Sequence, residues 1–200
     1  LIMIVGVPKE IKNHEYRVGL TPESVKRLNA ESHSVLVETN AGLGSGFTNQ
    51  NYIDAGGRII ENADELFNAS DLIIKVKEPQ TDEINAIKED QIIFTYLHLA
   101  SSEDLTKKLI KKKCISIAYE TISDDLVGLP LLKPMSEVAG RLSIQAGARC
   151  LEKTFGGLGI LLGGSSYSNP AKTLVIGGGG YIGTVVNNFF QEKKKIHHFF

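Results

Sequence analysis

The sequence predicts an α/β fold: a doubly wound parallel sheet, followed by the first strand–helix unit of a second α/β domain. Three observations predict it. Short β-branched apolar runs alternate with amphipathic stretches along the chain. The runs are mostly continuous rather than alternating, as strands buried on both faces of a parallel sheet require. The stretches between them open with residue types that cap helices.

In order, the apolar runs are Met3–Val7, Val35–Glu38, Leu72–Val76, Ile92–Leu97, Ile115–Tyr119 and Thr173–Ile176. Thr21-Pro22-Glu23 offers a capping hydroxyl, a proline at the first helical position and an acid beside the positive helix end. Asn62 with Asp64 and Glu65, and Ser102 with Glu103 and Asp104, repeat that chemistry. Beyond Pro130–Pro134, Ser136 is read as the cap of a long helix running to about Glu152. A domain boundary is therefore expected there, dividing the chain into residues 1–134 and 135–200.

The bulk numbers set limits. With 200 residues, 42% of them hydrophobic, the chain can bury one full core and part of a second. A net charge of -1 gives no electrostatic case for nucleic acid or an anionic membrane as the main partner. No apolar run approaches the roughly 20 residues that span a bilayer. The opening Leu1-Ile2-Met3-Ile4-Val5 is too short for a signal peptide and lacks a basic flank, and Met3 is a candidate start. Cys114 and Cys150 have no metal-ligand spacing, so reduced thiols in the cytoplasm and no bound metal are expected.

Two groups of residues carry candidate chemistry. Gly178-x-Gly180-x-x-Gly183 directly follows a short apolar run. Glycines so spaced permit a tight turn, close approach of a pyrophosphate and packing of the next helix on the strand. Four consecutive glycines, Gly177–Gly180, blur the register, and no second strand ending in a ribose-binding acid is read in the tail from Val185 to Phe200. The other group is Arg17, in the loop after the first run, with Lys77 and His98, which close the runs Leu72–Val76 and Ile92–Leu97. Ligands of open parallel sheets gather at strand carboxyl ends. There Arg offers a planar fork to a carboxylate, Lys a compact donor, and His a proton exchanged near neutral pH. Each also admits a plain reading, a solvated cation or a satisfied structural histidine, and spacing alone leaves both open.

Longer stretches carry a resemblance. Gly6-Val7-Pro8-Lys9-Glu10-Ile11-Lys12-Asn13, Arg17-Val18-Gly19-Leu20-Thr21-Pro22, Ala41-Gly42-Leu43-Gly44-Ser45-Gly46, Lys75-Val76-Lys77-Glu78-Pro79, Phe94-Thr95-Tyr96-Leu97-His98-Leu99-Ala100, Ile117-Ala118-Tyr119-Glu120-Thr121 and the run from Leu129 to Arg141 are worded and ordered as in alanine dehydrogenases. The chain resembles that family from Met3 to Gly183. The resemblance implies an enzyme interconverting L-alanine and NAD with pyruvate, ammonia and NADH. It implies that Arg17 and Lys77 hold the substrate carboxylate and carbonyl region and that His98 is the catalytic proton donor and acceptor. Met135 and Ser136 would lie against the NAD cofactor, as would Gly178, Gly180 and Gly183, with Tyr119 and Glu120 as weaker candidates. The glycines of Ala41–Gly46 are expected to shape a structural loop.

On this reading residues 1–134 are a substrate-binding domain without its carboxy-terminal helices, and 135–200 are the linking helix and start of a Rossmann-type NAD-binding domain. Intact members of the family form homo-oligomeric hexamers. The match dissolves after Thr184, so a truncated or frame-shifted copy is expected, with its own activity open. The alternatives are the nucleotide-binding part of a proton-translocating nicotinamide transhydrogenase, or an inactive remnant or binding fragment. The Tyr96-Leu97-His98-Leu99-Ala100 wording favours the dehydrogenase.

Overall fold

A computed structural model describes residues 2–191, in two compact units that divide between Ile122 and Ser123. Five of the continuous apolar runs become strands of the first unit's parallel sheet, which has six strands. They are β1 (Ile4–Val7), β2 (Ser34–Glu38), β3 (Arg58–Ile60), β4 (Leu72–Ile74), β5 (Ile92–Thr95) and β6 (Ile115–Ala118). The order across the sheet is β3-β2-β1-β4-β5-β6, and every pairing is parallel. The winding reverses between β1 and β4, which pair through Val5–Leu72 and Gly6–Ile73. That reversal opens the crevice where such sheets take ligands.

Alternate residues along each strand feed two cores, one on each face. Val5, Val7, Val35, Val37 and Ile74 meet Val25 of α1 (Pro22–Ala30) and Tyr52 of α2 (Asn49–Asp54). Leu36, Ile73 and Ile93 meet Leu66 and Phe67 of α3 (Ala63–Ala69), Ile84 of α4 (Thr81–Ala86), and Leu105 and Leu109 of α5 (Glu103–Lys112). Helices on both faces make the sheet doubly wound, as predicted.

The caps work as their chemistry requires. The Ser24 N–H donates to the Thr21 hydroxyl, the Asp64 and Glu65 N–H groups to Asn62, and the Leu105 N–H to Ser102. Three elements escaped the sequence: β3 is only three residues long, and the short α2 and α4 carry no long apolar period.

The second unit is built on α6 (Lys133–Cys150) and α7 (Tyr181–Gln191). Two expectations are corrected here. Ser136 is not the helix cap. α6 begins at Lys133 with Pro134 in its first turn, Leu132 at the cap position makes no side-chain bond, and the Ser136 N–H already donates to the Leu132 carbonyl at 3.0 Å. Proline presets the helical φ, so the helix starts one turn early.

Nor is Thr173–Ile176 a strand: it has no regular secondary structure before the turn that opens at Ile176, and Leu174 and Ile176 are exposed. Among the described residues no second strand of that unit is available to share its backbone hydrogen bonds, and a parallel strand does not exist alone. Residues 192–200, the end of the tail in which the sequence showed neither strand nor acid, lie outside the described residues.

Candidate active site

The strand ends around the β1–β4 reversal gather the polar residues. Arg17 sits in the loop between β1 and α1, and local contacts fix that loop. Gly19 passes so close to β4 that a β-carbon there would lie 2.4 Å from the Ile74 carbonyl oxygen. The Ser45 hydroxyl, from the glycine loop after β2, donates to the Tyr16 carbonyl at 3.2 Å, and the buried Tyr52 hydroxyl donates to the Leu20 carbonyl at 2.9 Å. The glycines of Ala41–Gly46 thus shape a support for the Arg17 loop.

Arg17 is half-sequestered by its neighbour. Its Nε donates to Glu15 Oε1 at 2.7 Å and an Nη to Oε2 at 2.5 Å, while its backbone N–H also meets Oε1 at 2.9 Å. These bonds hold the Glu15 carboxyl below the usual range, with the Lys77 charge adding to the effect, and raise the Arg17 guanidinium. Glu15 therefore senses both cations of the predicted site.

Tyr96, one residue past β5, links Arg17 to His98. Burial pushes its hydroxyl up, and the Arg17 charge opposes that shift. Its ring lies parallel to the His98 imidazole with centroids 6.0 Å apart, and Tyr119 meets it edge-on at 5.0 Å.

His98 is exposed and adopts a left-handed backbone, φ 50° and ψ 37°. Its N–H donates to Glu120 Oε1 at 2.6 Å, and the Leu97 N–H reaches the same carboxylate at 3.1 Å. The imidazole lines two cavities, of about 180 and 530 Å³, shared with Glu78. Neither counts Arg17 or Lys77 in its wall. Glu78 pairs with Lys12 through one oxygen, and its other oxygen is buried without a hydrogen-bond partner.

Sequence reasoning missed a buried ionic cluster beneath Lys77. The Lys75 ammonium, wholly buried, donates to Glu83 at 2.5 Å and to Glu10 at 3.2 Å. Burial pushes the Glu83 carboxyl up, only partly offset by Lys75, and the Glu10 charge adds to the rise. The available signal was Lys75 itself, a cation in the middle of the apolar run Leu72–Val76. A lysine is almost never fully buried unless it is paired.

In the second unit, Ser136, Gly180 and Gly183 line a cavity of about 850 Å³. Gly177 takes φ 79° to start the turn, and a β-carbon on Gly183 would lie 2.3 Å from the Gly177 carbonyl oxygen. Met135 is half-buried beside Ser136 in the first turn of α6, and Gly178 lies within the turn before α7. Among the described residues, no cluster of His, Cys, Asp or Glu could hold a metal ion, and no helix is long and apolar enough to cross a membrane.

Fold and site together define a doubly wound α/β protein with cationic side chains and a histidine at its strand ends, joined to a unit with a glycine-rich turn at a helix start. The chain belongs to the alanine dehydrogenase/PNT family. The description "Alanine dehydrogenase/PNT, N-terminal domain" matches residues 6–139, and "Alanine dehydrogenase/PNT, C-terminal domain" matches residues 143–185. An alanine dehydrogenase of Methanococcus maripaludis is 52% identical over 177 residues, covering 88% of this chain and 48% of the relative. One from Halomonas elongata is 51% identical over the same length, also 48% of that relative.

Among solved structures, an L-alanine dehydrogenase superposes with a TM-score of 0.87 at 45% identity, over 97% of this chain and 54% of that one. A transhydrogenase from Sinorhizobium meliloti shares the fold, with a TM-score of 0.75 at 24% identity, over 96% of this chain and 55% of that one. The chain spans about half the length of the curated relatives it matches.

Proposed function

We propose that this chain supplies the substrate-handling side of an NAD-dependent alanine dehydrogenase, interconverting L-alanine with pyruvate and ammonia. The observation that carries the reading is Arg17, Lys77 and His98 beyond strand carboxyl ends, in a chain about half identical to curated alanine dehydrogenases. Arg17 holds the substrate carboxylate by its charge, with the guanidinium oriented through the edge that it turns to Glu15. Lys77 donates to the substrate carbonyl and polarises it. His98 gives or takes the proton at that oxygen, or at the imine nitrogen, as the carbon changes oxidation state.

NAD, when bound, accepts the hydride from the alanine α-carbon. The residues present fit it: Gly178 lies in the turn, Gly180 leaves open space before α7, and Gly183 lets the first turn of α7 pack on the glycine loop, where helix N–H groups attract a pyrophosphate. Ser136, in the first turn of α6, lines the same cavity as Gly180 and Gly183, and Met135 precedes it on that turn. The working protein is a cytoplasmic homo-oligomer, in keeping with two free cysteines and no charge excess for nucleic acid or membrane.

Titration of the purified chain with pyruvate, followed residue by residue by NMR, tests the substrate side. Shifts centred on Arg17, Lys77 and His98, and lost in Arg17→Ala and Lys77→Ala, are expected. Absence of binding, or binding indifferent to both substitutions, would overturn the reading.

A further inference from the structure

We infer that Glu10 is a positioning residue for Lys77, holding the strand-end backbone from which that lysine reaches the substrate anion. The inference rests on the substrate reading of Lys77 given above.

The need arises from the way the sheet ends. β4 stops at Ile74, and the chain then bends at Val76 and Lys77, so that its backbone there must be held on both sides. On the β5 side the holding is conventional. The Tyr96 N–H donates to the Val76 carbonyl at 3.3 Å, and the Thr95 hydroxyl donates to the Lys77 carbonyl at 2.9 Å. On the β1 side the ladder has run out, because β1 ends at Val7 and the chain turns away through Pro8. Glu10 replaces it. Its Oε1 accepts the Val76 N–H at 2.7 Å and lies 3.4 Å from the Lys77 N–H, so a carboxylate stands where a neighbouring strand's carbonyl would be.

Its other oxygen receives Lys75 at 3.2 Å, and the Glu10 side chain is only 2% exposed. Lys75 in turn is pinned by Glu83. Burying two carboxylates and an ammonium costs more than burying apolar groups of the same shape. What the cluster gives in return is geometry: an acceptor fixed by a buried cation, aimed at the two amides beside Lys77.

A purely stabilising cluster and a positioning one respond differently to substitution. Glu83→Gln weakens the same buried cluster but touches neither the Val76 nor the Lys77 amide. Glu10→Gln keeps the side-chain volume but leaves both amides a weaker, neutral acceptor and sets an NH2 against Lys75, and Glu10→Asp withdraws the carboxylate by one methylene should the first variant fold poorly. The full chain and the three variants would be compared by amide hydrogen exchange and by pyruvate affinity, with thermal midpoints recorded.

With Glu10 substituted, exchange should quicken at Val76 and Lys77 ahead of the rest of the sheet. Pyruvate affinity should fall by about tenfold or more, since small misplacements of a binding group are costly. Glu83→Gln should lower the thermal midpoint while costing clearly less affinity than the Glu10 substitutions, since it acts on the two amides only through Lys75. Equal loss of affinity in the Glu10 and Glu83 variants, or exchange at residues 76–77 unaltered by the Glu10 substitutions, would overturn the inference. A wild-type chain that fails to bind pyruvate sinks the substrate reading instead. The exchange pattern then still decides whether Glu10 anchors the strand end.

Discussion

The Glu120 carboxylate, just past β6, accepts the His98 N–H at 2.6 Å and the Leu97 N–H at 3.1 Å, just past the neighbouring β5. It is the counterpart of Glu10 on the other side of the site. Each carboxylate follows one strand and takes the amides that follow the adjacent strand. Replacing Glu120 by Ala should cost about 1.5–3 kcal/mol, the range for bonds to a charged acceptor. Urea unfolding of the two chains measures it. A loss near that of an ordinary surface change, about 0.5 kcal/mol, would mean that solvent replaces the carboxylate without penalty.

His98 itself pays for its backbone. Its left-handed φ of 50° suits Asn or Gly and penalises β-branched residues. His98→Val should therefore be less stable than His98→Asn by about 1–2 kcal/mol. Equal stability of the two variants would show that the residue relaxes out of that conformation.

Local chemistry was legible in the sequence and long-range pairing was not. Thr21, Asn62 and Ser102 announced their helices because a cap is satisfied within three residues. Arg17, Lys77 and His98 were readable as strand-end residues for the same reason. The partners that orient the last two were not. Glu10 meets Val76 across 66 residues and Glu120 meets His98 across 22, contacts that exist only once β1 lies beside β4 and β5 beside β6. Glu15 could have been found, being two residues from Arg17. Thr173–Ile176 misled because its composition suits a strand while its pairing partner is not among the described residues.

The buried cluster makes stability depend on pH in a stated direction. Burial raises the Glu83 carboxyl above its ordinary value, so the folded chain holds that proton where the unfolded chain has lost it. Between those two values the folded state binds more protons, and stability falls as pH rises. Glu38, also raised by burial, contributes with the same sign, while Glu15 and Glu78, both lowered, act oppositely as pH falls below the ordinary carboxylate range. Urea unfolding of wild type and Glu83→Gln across mildly acidic pH isolates the first contribution. The difference between the two curves should slope in that window and flatten above it. A flat difference throughout would mean that Glu83 is ionised in both states.

The glycine turn of the second unit offers a test that needs no ligand. A β-carbon on Gly183 would meet the Gly177 carbonyl oxygen at 2.3 Å and the Gly178 α-carbon at 2.6 Å, whereas one on Gly179 would meet nothing within 4 Å. Both contacts on Gly183 are backbone, so neither can swing aside. Gly183→Ala should push the first turn of α7 off the glycine loop at a cost of about 1–3 kcal/mol. The bond from the Thr184 N–H to the Gly180 carbonyl, 2.8 Å long, should loosen with it. Amide exchange at Thr184 reads the effect directly, faster in Gly183→Ala and unchanged in Gly179→Ala. If the two substitutions behave alike, the close approach of α7 to the turn does not exist in solution, and the case for a pyrophosphate seat at Gly178, Gly180 and Gly183 falls with it.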